Sequence, residues 1–268
     1  MNPQTGKLSV ERYLEGKHAI VTGGSRGIGA AVAAALVHRG ADVTIMGRSA
    51  EFLERKAAEL RGERGATVAA EECDVADGAS VTNAFARATA NLGPAYILVN
   101  NAGVATSRKF SEITRQIWDE TIGVNLTGTF LCTSEVIPAM IEAKSGRIVN
   151  ISSTAGLRGY RTMTAYAASK HGVIGFTKSL ALETAKLGIT VNAVCPAYTD
   201  TDMAAGAIKA LTEKLGKTES EAMEMLTRPI PRGRLITPEE VASAVAWLCS
   251  PEASGVTGIA MPVAGGEV

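Results

Sequence analysis

The chain has 268 residues, 46% of them hydrophobic, enough to bury one large α/β core. Lys plus Arg and Asp plus Glu each total 27, so no global field draws the chain to nucleic acid or to an anionic membrane, and a small-molecule partner is expected instead. The polar stretch from Met1 to Lys17 lacks the apolar core of a signal peptide, and no run approaches the ~20 apolar residues that span a bilayer, so a cytoplasmic location is expected.

Beyond an N-terminal extension, residues 1–14, short β-branched runs alternate with longer helical patterns. Strands are expected at His18–Thr22, Asp42–Met46, Thr67–Glu71, Tyr96–Asn100, Arg147–Ser152, Thr190–Cys195 and Gly258–Val263, and the clearest helices at Ala30–Arg39 and Thr164–Leu187. Ile97-Leu98-Val99 and Ile148-Val149 are apolar on both faces, as a parallel sheet covered by helices on both sides requires. With no Pro- or Ser-rich linker and no repeat, residues 15–268 read as a single α/β domain with a doubly wound, seven-stranded parallel sheet. The irregular part is about 198–235. It holds a polar helical stretch, Lys209–Leu226, then Arg228-Pro229-Ile230-Pro231, where a substrate-covering lobe would lie at the carboxyl edge of the sheet.

After the first strand comes Thr22-Gly23-Gly24-Ser25-Arg26-Gly27-Ile28-Gly29, then a helix. Glycines let a backbone turn sharply and approach a pyrophosphate, whose charge is stabilised by N–H groups at the helix N-terminus. A dinucleotide unit that takes NAD usually ends its second strand on Asp or Glu, which holds the ribose hydroxyl. Here that position is Gly47, followed by Arg48, and Arg26 projects from the turn. Two guanidinium groups converging on a ribose 2′-phosphate would select NADP(H), although two solvated surface arginines read the same in sequence.

Tyr166 and Lys170 are four residues apart in a helical pattern and emerge on one face. A free phenol has a pKa of ~10, and a neighbouring ammonium would bring it toward the neutral range where acid/base catalysis works best. Upstream, Ser152 and Ser153 end a strand at the ligand-binding edge. Ser152 is expected to face the structure and Ser153 the ligand, where a hydroxyl can hold a carbonyl oxygen, though both are also turn formers. Cys73, Cys132, Cys195 and Cys249 lie more than fifty residues apart with no C-x-x-C pair, so they read as buried hydrophobes and no metal is expected. The scattered His18, His38 and His171, without a G-x-S-x-G elbow, argue against hydrolase chemistry.

Together with Asp74-Val75 after the third strand, Asn100-Asn101-Ala102-Gly103 after the fourth and Val124-Asn125-Leu126, these motifs resemble the short-chain dehydrogenase/reductase family, in family order, from about Leu14 to Gly266. The resemblance implies a Rossmann-type fold and an NADP(H)-dependent enzyme interconverting a ketone and a secondary alcohol. It implies that Gly23, Ser25, Arg26, Gly27, Ile28, Gly29, Arg48 and Ser49 hold the cofactor's phosphates and ribose. Asp74 and Val75 would line the adenine pocket, while Asn101, Ala102, Gly103, Pro196, Thr199 and Thr201 would complete the cofactor site. Ser153 and Tyr166 would bind the carbonyl, Tyr166 would donate the proton, and Lys170 would hold the nicotinamide ribose and connect to a water on Asn125. The plain alternative for Asn100 and Asn125 is bracing of the sheet and a helix, and for Asn100 this is the preferred reading. Ala197 stands where the family has Gly after Pro196, so a conformation open to Ala is expected there.

Gly156, Leu157 and Tyr198 should shape the substrate pocket. Arg232-Gly233-Arg234-Leu235, Pro238-Glu239-Glu240-Val241 and Gly265-Gly266 resemble 3-oxoacyl thioester reductases and 3-hydroxyacyl-CoA dehydrogenases. Lys209, Lys214, Lys217 and Arg228 would then meet a CoA or carrier phosphate, or form a solvated face. Two other readings stay open: an NAD-dependent dehydrogenase of a small or aromatic secondary alcohol, and a catalytically silent binding or regulatory subunit. The family implies a homotetramer or dimer, with Val241–Cys249 and Ile259–Val263 as candidate contacts or as ordinary core.

Overall fold

The seven expected strands all form, and they lie side by side in the order β3-β2-β1-β4-β5-β6-β7 with every neighbour parallel. They are β1 (His18–Thr22), β2 (Asp42–Gly47), β3 (Val68–Glu72), β4 (Ile97–Asn100), β5 (Gly146–Ile151), β6 (Ile189–Pro196) and β7 (Ala260–Val263). The structure, a computed structural model, describes residues 12–61 and 66–268; most of the expected N-terminal extension lies outside them.

Successive side chains of a strand point to opposite faces, and here both faces are apolar. Val21, Val99 and Val149 enter one core with Val32, Leu36, Val245 and Leu248. Their neighbours Ile20, Leu98 and Ile148 enter the other with Phe85, Cys132, Val136 and Met140. The helices of the first core are α1 (Gly27–His38), α2 (Ala50–Arg61) and a late helix, Pro238–Leu248; those of the second are α3 (Gly78–Leu92) and a helix at Gly128–Ala143. Leu14, placed in the sequence at the end of the extension, is buried in the first core and donates its backbone N–H to Arg39.

Strand order reverses between β1 and β4, which opens a crevice at the carboxyl ends of these two strands. Over that edge lie α4 (Arg115–Ile122), a π turn (Gly123–Thr127) and α5 (Gly128–Ala143), which run on as one helical stretch. Arg115–Ala143 is long and apolar enough, by length and composition alone, to cross a membrane. Its inner face is nevertheless spent on the sheet, through Thr129, Cys132, Thr133, Val136 and Met140. Next comes α6 (Thr164–Thr184), with the 3-10 turn Ala185–Leu187 completing the expected helix.

The stretch expected as one polar helix divides into α7 (Asp202–Leu215) and α8 (Glu219–Thr227). Gly216 takes the left-handed conformation (φ 62°) that ends α7, and Thr218 with Glu221 forms a capping box that starts α8. The pair has its own small core of Ala204, Ile208, Ala222, Leu226 and Leu235. In α9 (Pro238–Leu248), Val241, Ala242, Val245, Ala246 and Leu248 are buried against α1, as is Cys249 just beyond it, so most of Val241–Cys249 is internal core, with Ser243 and Trp247 exposed. Residues 259–263 at the sheet edge remain partly exposed.

Candidate active site

At the first βα turn the peptide chain reverses tightly over the end of β1. Gly23 and Gly27 take positive φ (65° and 54°). A Cβ on Gly23 would lie 2.8 Å from Asn101 Nδ2, and one on Gly29 would overlap the Gly23 carbonyl. Two of the glycines therefore serve the packing of the turn itself. Asn101 explains why. Its Nδ2 donates to the carbonyls of Thr22 (2.9 Å) and Gly23 (3.1 Å), and the N–H groups of Asn101 and Ala102 donate to Thr22 Oγ1. Asn101, expected to contact the cofactor, uses its side chain to stitch β4 to the turn.

Residues at the start of α1 fit a dinucleotide. Arg26 caps the helix through its backbone only, the first turn carries no acidic side chain, and its N–H groups have no side-chain acceptor. A cleft of about 360 Å³ opens beside them, lined by Ser25, Arg26, Gly27, Phe52, Arg55, Lys56, Glu59 and Asp202. Arg26 does not meet Arg48. Its guanidinium donates to Asp202 at 3.2 Å, both side chains being mostly exposed, whereas Arg48 is exposed without a hydrogen bond or ion pair among the described residues. Ser49 Oγ accepts from Phe52 N at the start of α2. Asp74 accepts from Ala76 N and steadies the turn after β3, and Val75 is buried where it would meet any Cβ on Gly128 at 2.9 Å.

Across the crevice, β5 delivers the two serines as expected. Ser152 is buried and donates to the Lys170 carbonyl at 3.0 Å; Ser153, half-buried, accepts from Ala155 N and has its hydroxyl within reach of the Tyr166 phenol. Gly156 departs from its expected place in the pocket wall. It is buried against α6, where a Cβ would come within 2.5 Å of Ser152 Oγ and 2.8 Å of the Lys170 carbonyl. Leu157 and Tyr198 are each 37% exposed and line the outer side.

Tyr166 and Lys170 share a face of α6, with Nζ 5.7 Å from the centre of the phenol ring. Burial pushes the phenol up to about 12, and only the hydroxyl of Ser153 pulls it down. Burial also pushes the Lys170 ammonium down to about 8. The tyrosine thus shifts opposite to the direction argued from the Y-x-x-x-K spacing, because burial dominates, while Nζ donates to the Ile151 carbonyl at 2.8 Å. At neutral pH this leaves a protonated phenol beside a cation.

Asn125 sits in the π turn and is fully buried. Its Oδ1 accepts from Val104 N, and its Nδ2 donates to the Val104 carbonyl and to Ser169 Oγ. The carboxamide is thereby a pin between the loop after β4 and α6. A Cβ on Gly103 would lie 3.2 Å from Asn125 Oδ1 and 3.6 Å from Lys170 Nζ, so this loop glycine borders both groups. Asn100 braces the sheet, as preferred, donating to Thr133 Oγ1 and Asn150 Oδ1. Ala197 is not in the positive-φ region, as expected for Ala. Thr199 is buried and donates to the Ala197 carbonyl, Thr201 lies against Gly27, and Pro196 is held by β7. All four cysteines are buried and free of disulfides, and among the described residues no cluster of three His, Cys, Asp or Glu could hold a metal.

The residues that the sequence reasoning did not single out are Thr22, Ser169, Asp202 and a cluster of Arg158, Tyr160 and Glu267. Each acts through a partner distant in the chain, which no local spacing announces.

A parallel sheet with its switch point at β1/β4, a glycine turn on one side and Ser153, Tyr166 and Lys170 on the other defines an oxidoreductase of the dinucleotide-binding α/β type. The family model for short chain dehydrogenases matches residues 17–211, and the chain belongs to that family. It is 42% identical over 250 residues to the granaticin polyketide synthase putative ketoacyl reductase 1 of Streptomyces violaceoruber, covering 92% of each chain. It is 40% identical to the 3-oxoacyl-acyl-carrier-protein reductase of Aquifex aeolicus, covering 96% of this chain and 99% of that one. Among solved structures it is similar to a variant of actinorhodin polyketide ketoreductase with NADPH, at a TM-score of 0.90 and 40% identity, covering 94% of this chain and 97% of that one.

Proposed function

We propose that the protein is an NADPH-dependent reductase of 3-oxoacyl thioesters carried on CoA or a carrier protein. The observation that carries this reading is the convergence of Ser153, Tyr166 and Lys170 at the edge of the crevice, opposite an α1 N-terminus without an acidic side chain. Relatives named as ketoacyl and 3-oxoacyl reductases support the substrate class, and the neighbour solved with NADPH supports the cofactor. Gly47 at the end of β2, where an NAD enzyme has its acid, and Arg48 beside it point the same way.

NADPH would lie across the crevice and supply the hydride that reduces the carbonyl carbon. The protein's part is to hold the carbonyl oxygen and deliver a proton. Ser153 and Tyr166 donate hydrogen bonds to that oxygen, and they strengthen as negative charge develops there. Tyr166 then gives up its proton to the alkoxide, and the Lys170 cation stabilises the phenolate left behind. Asn125 keeps the loop of Gly103 and Val104 against α6, so that the cation stays in place. Arg26 and Arg48 would take the 2′-phosphate, with Arg26 leaving Asp202 to do so. At the mouth, Lys214 and Arg228 are exposed to meet a phosphate, while Lys209 and Lys217 are paired with Glu213 and Glu221 of the lobe.

The proposal extends to a cytoplasmic homodimer or homotetramer. Phe130 and Ile141 on α5 and Leu182 on α6, 84% exposed, are apolar surface of the kind subunit interfaces cover. Sedimentation would read the assembly. Fluorescence titration should find NADPH bound at least tenfold more tightly than NADH, and tighter NADH would refute the roles of Arg26 and Arg48. Turnover of a panel of 3-oxoacyl thioesters, aromatic ketones and small diketones should be fastest with the thioesters; no turnover of any would leave the reading of a silent subunit.

A further inference from the structure

Carboxylates are ordinarily solvated. Glu267 has a side chain only 1% exposed. Two successive glycines with positive φ, Gly265 (58°) and Gly266 (93°), turn the tail inward, and Arg232 N donates to the Gly265 carbonyl at 3.2 Å. A Cβ on Gly265 would come within 2.8 Å of Ile230 Cγ2, so the turn is closed against the end of the lobe.

Inside, Glu267 Oε1 accepts from Arg158 Nη2 at 2.6 Å and from Tyr160 Oη at 2.6 Å. Tyr160 Oη is also 2.8 Å from Thr154 Oγ1 and 3.0 Å from Arg158 Nε. The phenol has one proton, which goes to the carboxylate, so its oxygen accepts from Thr154 and Arg158. The Arg158 guanidinium lies 4.8 Å from the centre of the Tyr160 ring. Glu267 Oε2 is buried without a partner. An apolar side chain here would take the acceptor from both Tyr160 and Arg158, so the carboxylate is what orders these two residues.

What the carboxylate holds is the substrate side of the site. Thr154 directly follows Ser153, and Leu157 directly precedes Arg158, so both ends of the loop meet the Tyr160 hydroxyl, which Glu267 in turn holds. We propose that Glu267 is a positioning residue that fixes the Ser153–Tyr160 loop, which carries Leu157, and thereby sets the size of ketone the pocket accepts. The selectivity part rests on the reductase reading above; the positioning part does not.

Two measurements on the full chain test it. The first compares kcat/KM for an aromatic ketone and a short 3-oxoacyl thioester in wild type, Glu267→Ala, Glu267→Gln and the Arg158→Ala/Glu267→Ala double variant. Glu267→Ala should shift the ratio about fivefold or more toward the larger ketone, mainly through KM, since a loosened wall changes fit more than chemistry. Glu267→Gln, which keeps an acceptor for Arg158 and Tyr160, should stay within about twofold of wild type, and Arg158→Ala should add nothing to Glu267→Ala. An unchanged ratio with a lowered melting temperature would overturn the selectivity role. The second is amide hydrogen exchange without any substrate. Residues 153–160 should exchange faster in Glu267→Ala than in wild type, and unchanged protection there would overturn the positioning role. Faster exchange in a protein whose wild type reduces no ketone would uphold positioning while refuting the reductase reading.

Discussion

The glycine turn and the Ser153 loop face each other across the same sheet edge, but they use their polar groups differently. On the cofactor side the side chains of Thr22, Asn101, Asp74 and Ser49 bond to the backbone and shape turns, which leaves the N-terminal N–H groups of α1 to meet a ligand. On the catalytic side Lys170 is buried and Tyr166 half-buried, and both are displaced from their solution behaviour, Tyr166 up to about 12 and Lys170 down to about 8. One half binds with backbone and keeps its charges wet. The other desolvates its charges, and that is what makes a phenol hold its proton until an alkoxide asks for it.

This contrast is open to attack from both sides. The largest expected effect on cofactor binding is at Gly29, where a Cβ would overlap the Gly23 carbonyl and press on Asn101. Gly29→Ala should weaken NADPH binding by about 10- to 100-fold by fluorescence titration, the scale of an overpacked core position. Unaltered binding would mean that the turn relaxes easily and that its stitching matters little.

Next comes Lys170→Met. Below about pH 8 the folded protein carries a buried ammonium that the unfolded chain solvates, so the charge penalises folding in full. Between about 8 and the ordinary 10.5 the folded state has released a proton that the unfolded chain keeps, so wild-type stability rises with pH and the penalty fades. After allowing for the lost bond to the Ile151 carbonyl, Lys170→Met should be more stable than wild type by on the order of 1–2 kcal/mol at pH 7, with the advantage shrinking toward pH 10. Denaturant titrations at the two pH values would check the sign. A destabilised Lys170→Met at pH 7 would show that the cation is well compensated in the fold.

Much of this site is legible in the chain, and the division follows the physics. Strand positions could be read because both faces of a parallel strand must be apolar, as in Ile97-Leu98-Val99 and Ile148-Val149. Ser153, Tyr166 and Lys170 could be read because strand end and helix spacing fix their side of the sheet. The direction of the Tyr166 shift could not. It depends on how deeply the fold buries the phenol, and Nζ meanwhile donates to the carbonyl of Ile151, nineteen residues away. The orientation of Asn101 and the burial of Gly156 were hidden for the same reason, since each answers to atoms of another element. Gly216 with Thr218 and Glu221 was different: the break between α7 and α8 was written in the sequence as a helix stop and a capping box.

Smaller effects test the exposed charges. Arg48→Asp should shift the NADPH-to-NADH affinity ratio about tenfold toward NADH, as expected when a phosphate partner becomes an anion. Asp202→Asn should tighten NADPH by about two- to fivefold at low salt, because Arg26 would no longer be shared with a carboxylate, and the gain should vanish at high salt. A weaker grip on NADPH in Asp202→Asn would mean that Asp202 holds Arg26 in its binding position.

The central claim is that Tyr166 carries the proton. The direct measurement is kcat/KM for reduction of a 3-oxoacyl thioester by NADPH, in wild type and Tyr166→Phe, from about pH 6 to 10. Wild type should hold its rate up to about pH 8 and decline above it as Lys170 loses its charge, while Tyr166→Phe should be slower by about 10³-fold throughout, as for removal of a general acid. Equal turnover by the two proteins would contradict the account.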